Sequence, residues 1–75
     1  MDIYLSVIVD RHTDAIISAW ETAEGAVANA KERAAEYCRH QEDLAEHEPP
    51  EGWLCYVTYS PEGEHAYAIK VPVNA

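Results

Sequence analysis

The sequence predicts an α+β domain of order ββαββ, a four-stranded antiparallel sheet of two hairpins with one helix packed on one face. Three features carry this expectation. The chain alternates apolar and polar residues with period two near both ends, its centre is rich in alanine and straight-chain residues, and turn-forming residues stand at the joins. A single domain is expected over residues 1–75, with hairpins at 2–21 and 53–73 and a helix at 23–46.

The first strand is read from DIYLSVIVD, where Ile3, Leu5, Val7 and Val9 share one side and Tyr4, Ser6 and Ile8 the other. AIISAWE reads as its hairpin partner, with Ile17 and Ala19 competing with Ile16 and Trp20 for the core. Between them lies VDRHTDAI, in which Asp10, His12 and Asp14 follow a two-residue spacing. On one straight strand these three side chains would converge, but a hairpin bend breaks the alignment. Asp10 and Asp14 are then expected to accept hydrogen bonds from turn amides, with Arg11 and His12 at an exposed tip.

Thr22 is placed to cap a helix, with Glu21 and Glu24 near the positive end of its dipole. At about 100° per residue, Ala23, Val27, Ala30, Ala34, Tyr37, Cys38, Gln41, Leu44 and Ala45 fall on one face, mostly small. Such a face allows close approach to a sheet. Pro49 and Pro50 stop the helix, because neither donates a backbone hydrogen bond and the first disfavours helical geometry at Glu48. GWLCYVTYS then alternates Trp53, Cys55, Val57 and Tyr59 against Leu54, Tyr56, Thr58 and Ser60. SPEGE supplies a turn in which Pro61 sets the first corner and Gly63 takes positive φ. HAYAIKVPV returns as the last strand, with Pro72 suited to an edge or a fraying end.

Composition limits the classes of function. Fourteen acidic against five basic residues give a formal charge of −9, which repels a phosphate backbone and argues against direct nucleic-acid binding. Acidity suits solubility, a salt-rich cytoplasm, docking on a basic protein, or imitation of nucleic acid. No leader pattern or long apolar run is present, so no membrane partner and a cytoplasmic location are expected. Cys38 and Cys55 lack C-x-x-C spacing and are expected as buried thiols.

No serine elbow, Walker loop or H-E-x-x-H pair occurs, so neither an enzyme nor a cofactor is expected. A helix carrying Glu36, His40, Asp43 and His47 at spacings of 4, 3 and 4 would present weak metal candidates in His40, Asp43 and His47. Glu42, Asp43, Glu46, Glu48 and Glu51 form an acidic run with no interleaved lysine or arginine, suited to meeting a basic protein. Trp53, Tyr56, Tyr59 and Tyr67 lack the basic groove of a base-stacking platform and read as core or interface aromatics.

Four strands are nearly twice as wide as a helix of about 10 Å, so part of the sheet should stay open. The far face is expected to carry Tyr4, Ile8, Leu54 and Tyr56. The leading expectation is a small acidic protein-binding module, self-associating as a homodimer through an apolar sheet surface rimmed by the acidic run. Two alternatives are a nucleic-acid-mimicking inhibitor of a nucleic-acid enzyme, and a metal-dependent or small-ligand enzyme with a site between subunits that uses His12, Asp14 or the helix histidines.

Overall fold

The computed structural model describes residues 1–73 and has the expected α+β class, with five strands rather than four. Strands β1 (Asp2–Val9) and β2 (Ile16–Trp20) precede a helix, α1 (Ala23–Tyr37). A 3₁₀ turn at Gln41–Asp43 leads into β3 (Ala45–His47), followed by β4 (Trp53–Thr58) and β5 (His65–Pro72). The sheet order is β2-β1-β5-β4-β3, and every pairing is antiparallel. The two hairpins thus join through β1 and β5, which puts β5 and its Pro72 in the centre of the sheet. Pro72 is tolerated there because it is the last strand residue, opposite Asp2 at the sheet's end.

The helix begins as the sequence indicates. The Thr22 hydroxyl accepts from the Gly25 amide at 3.0 Å, and the alanine-rich stretch carries the helix for fifteen residues. A Cβ at Gly25 would stand 3.0 Å from the Trp20 ring and 3.1 Å from the Thr22 hydroxyl, so glycine is what lets Trp20 lie against the first turn. The helix ends at Tyr37 instead of running to residue 46. Its last turn carries no basic residue to meet the negative end of the dipole. Fifteen residues at about 1.5 Å each give a helix of about 22 Å, close to the length of the eight-residue strands it covers. The chain turns instead, packs Cys38 and Leu44 against the core, and pairs Ala45–His47 with β4. Helical propensity over residues 38–46 is worth only tenths of a kcal/mol per residue, about what one buried leucine outweighs.

The facing of β1 is the reverse of the expectation. Ile8 and Ser6 point toward α1 and are buried, with Tyr4 packed at the margin of the same cluster. Ala26, Ala30 and Ala34 of the helix meet Ala66 and Ala68 of β5, Cys55 and Val57 of β4, and Tyr59 just beyond it. Small side chains on both layers set a close helix-to-sheet distance, and Ser6 fits beneath the helix where a larger aliphatic residue would not. Ser6 is 1% exposed, and its buried hydroxyl has no hydrogen-bond partner among the described residues. Ser6→Ala is therefore expected to raise stability by about 1 kcal/mol, read as a higher midpoint in thermal melts. A lower midpoint would show that the hydroxyl is satisfied.

Candidate functional site

One face of the sheet is covered by α1; no described element crosses the other. Register places Val7 beside Ile17 and Tyr67, Leu5 beside Ala19 and Ile69, and Ile3 beside Val71, all facing away from α1. On β4 the register slips between Trp53 and Cys55: Trp53 pairs with Ile69 and Cys55 with the adjacent Ala68. This bulge is decisive for the surface. Simple alternation would bury Trp53 beside Cys55, but the extra residue turns Trp53 onto the open face while Cys55 stays in the core.

Trp53 then stacks on Tyr67, with ring centroids 3.9 Å apart and planes 7° from parallel. Tyr56 presents its edge to Trp53 at 5.5 Å. His65 extends the stack, 6.0 Å from Tyr67, and its Nδ1 donates to the Gly63 carbonyl at 2.9 Å. Positive φ at Gly63, +93°, is what closes that turn. His47 lies 5.1 Å from Tyr56 and hydrogen-bonds to the Thr58 hydroxyl at 2.8 Å. The result is a rigid aromatic and imidazole floor continuous with the aliphatic stripe of β1, β2 and β5. Among the described strands it carries no carboxylate, lysine or arginine: Asp2, Lys70 and Glu46 have the opposite facing.

The four apolar residues expected on this face divide accordingly. Tyr56 is there. Leu54, at the bulge, is 38% exposed. Tyr4 and Ile8 are not, because β1 turns its half-polar side to the helix. The sequence could not reveal this, since both sides of β1 are largely apolar and a bulge is not visible in periodicity.

The acidic run is also divided. Glu42 and Asp43 sit in the 3₁₀ turn, Glu46 on β3 reaches Lys31 of α1 at 2.8 Å, and Glu48 and Glu51 lie in the β3–β4 loop. The Glu46 carboxylate in turn holds the Lys31 ammonium above the usual lysine range. The metal candidates do not share a helix face: His40 precedes the 3₁₀ turn, Asp43 is within it, and His47 is on β3 facing the aromatic floor. No group of three metal-ligating side chains comes together among the described residues.

Asp10 behaves as a turn residue, accepting the His12 amide at 2.8 Å, and that bond followed by the Glu64 side chain holds its carboxyl below the usual range. Arg11 and His12 are at the exposed tip, within 3.5 and 3.8 Å of Glu62. Asp10 and His12 nevertheless help line an open cleft of about 540 Å³ with Glu36, His40, Asp43, Glu62 and Glu64, beside Arg39. Asp10 and Glu64 meet at its base, but the other carboxylates are spread over the hairpin tips and the helix end. Cys55 has no catalytic setting: it is buried, burial pushes its thiol up, and His65 lies on the opposite face of the sheet.

Tyr59 closes the base of this cleft. Its hydroxyl donates to the Val9 carbonyl at 3.0 Å, tying β1 to the end of β4. Burial first, then the carboxylates of Asp10 and Glu64, push its pKa up to about 12. The folded protein therefore keeps a proton that the unfolded chain releases near pH 10, so this contribution is full below pH 10 and is lost as pH rises toward 12. Stability should fall by about 2–3 kcal/mol over that interval, and the fall should be much smaller in Tyr59→Phe, which costs about 1 kcal/mol at neutral pH. Urea unfolding at a series of pH values measures both curves, and their difference isolates Tyr59 from Lys31.

Compared with protein-family models, with curated proteins and with solved structures, the chain matches none. No helix among the described residues is long and apolar enough to cross a membrane.

Proposed function

We propose that this chain is a protein-binding module, without catalytic chemistry of its own, and that its working surface is the open face of the sheet. One observation carries the reading: a continuous apolar and aromatic face, free of charged side chains, lies uncovered in a chain whose formal charge is −9. Apolar patches of such extent on a folded chain mark interaction surfaces, and rigid aromatic pairs favour binding because little side-chain freedom remains to be lost. Glu48 and Glu51 in the β3–β4 loop and Glu62 and Glu64 in the β4–β5 turn stand at opposite ends of β4, so the apolar floor has acidic ends. Apolar contact would supply affinity and the acidic ends would bias orientation.

A photo-crosslinking residue at position 67, on the open face, tests this against the same residue at position 32, on the exposed side of α1. Crosslinks to protein from position 67 in the producing cells, and none from position 32, are the expected result. Equal labelling from both positions, or none from either, would remove the proposed surface.

A further inference from the structure

We infer that the occupant of the open face is a second copy of this chain, the two sheets stacking face to face into an α/β/β/α dimer. The inference rests on the interaction reading above and adds the identity of the partner.

Large side chains lie on both faces of the sheet, and the described residues cover only one face. Five of the ten buried hydrophobic residues are alanines, Ala26, Ala30, Ala34, Ala66 and Ala68. The helix-facing layer adds Ile8, Cys55, Val57 and Tyr59, while Ile3, Leu5, Ile69, Val71, Trp53 and Tyr67, each half-buried in the single chain, face the uncovered side. The described residues form two layers, α1 and the sheet, and place no element over this side. A copy of itself is present wherever the chain is made, whereas an intermittent partner would leave the exposed parts of these half-buried groups in water until it arrived.

Strands of up to eight residues at about 3.3 Å rise, five abreast at about 4.8 Å, give a flat footprint on the order of 500 Å² per copy. Two copies then remove on the order of 1,000 Å², the lower bound for a specific interface, before side-chain relief is counted. Sheets packed face to face stand about 10 Å apart, a gap that aliphatic and stacked aromatic side chains from both sides can fill.

Two chains of −9 repel, and the open face is where they can meet without opposing carboxylates at the contact. The acidic ends, with Glu48 and Glu51 at one and Glu62 and Glu64 at the other, still oppose assembly at longer range. Self-association should therefore tighten as salt rises. Capture of a basic partner would weaken.

Sedimentation of the full chain from low micromolar concentration upward, at low and high salt, tests this. Twice the chain mass, with a dissociation constant that falls as salt rises, is the expected result. Ile17→Glu places a carboxylate on the open face at a position 60% exposed in the single chain, so the fold should tolerate it; Tyr67→Glu places one at the centre. Each should weaken the dimer by at least about a hundredfold, with the circular dichroism spectrum of Ile17→Glu unchanged. A monomer at every concentration overturns the inference. If position 67 still crosslinks to another protein, the interaction reading survives that loss, and if it does not, both fall. A dimer indifferent to both substitutions also overturns the inference, because the contact would then lie elsewhere.

Discussion

Ile8→Ala is expected to lower stability by about 3–4 kcal/mol, whereas Leu54→Ala should cost less than about 1 kcal/mol. Ile8 is 2% exposed and packs between α1 and the flanking strands, so truncation removes apolar burial and leaves a void that the close-packed alanines around it cannot collapse to fill. Leu54 is 38% exposed at the β4 bulge and leaves no enclosed space behind it. For a domain of this length, whose total stability is on the order of 4–11 kcal/mol, the first change consumes a large share. Urea denaturation of both variants at one fixed protein concentration measures the contrast. Equal losses would mean that β1 does not turn Ile8 toward the helix.

Ala30→Leu should be nearly as damaging, at about 3 kcal/mol, although leucine and alanine are both strong helix formers. Ala30 is fully buried at the middle of α1 and clusters with Ala66 and Ala68 of β5, whose smallness lets the helix lie close. Three added carbons have no space to enter, so either the helix lifts from the sheet or neighbouring side chains leave their rotamers. Glu32→Leu provides the comparison: the same residue on the exposed side of the helix should shift the thermal midpoint little. A well-tolerated Ala30→Leu would contradict the close approach.

Both expectations concern the part of the fold that residue patterns describe least well. Thr22 as a cap, the alanine-rich helix, the turn at Pro61–Gly63 and the strand character of residues 2–9, 16–20, 53–58 and 65–72 all follow from local chemistry: hydroxyl capping, propensity, positive φ and period two. The Asp10 turn is local in the same sense, since its carboxylate needs only the amide of His12 two residues on. Residues 38–47 were not legible in this way. Their composition favours helix, yet Leu44 gains more by reaching the core and Ala45–His47 by pairing with β4 than a further helical turn would supply.

The candidate surface was half legible for a related reason. That an apolar sheet face should remain open follows from the width of a sheet against one helix, and Tyr56 is on that face. Which side of β1 is open does not follow, because Tyr4 and Ile8 compete on nearly equal hydrophobic terms with Ile3, Leu5 and Val7. What separates the two sides is size: the helix presents alanines at close range, and the side of β1 carrying Ser6 fits under them. Alternation alone points Trp53 inward, and a single bulged residue turns it outward onto Tyr67.

By itself, then, the sequence determined the α+β class, the one helix and its start, the turn residues and the charge of −9, because each depends on neighbours a few residues away or on a sum over the chain. The tertiary structure decided the fifth strand, the end of the helix, the facing of β1 and the aromatic floor of Trp53, Tyr56 and Tyr67. Those outcomes depend on the volume available between two layers and on register across strands, and such quantities exist only once distant segments are side by side.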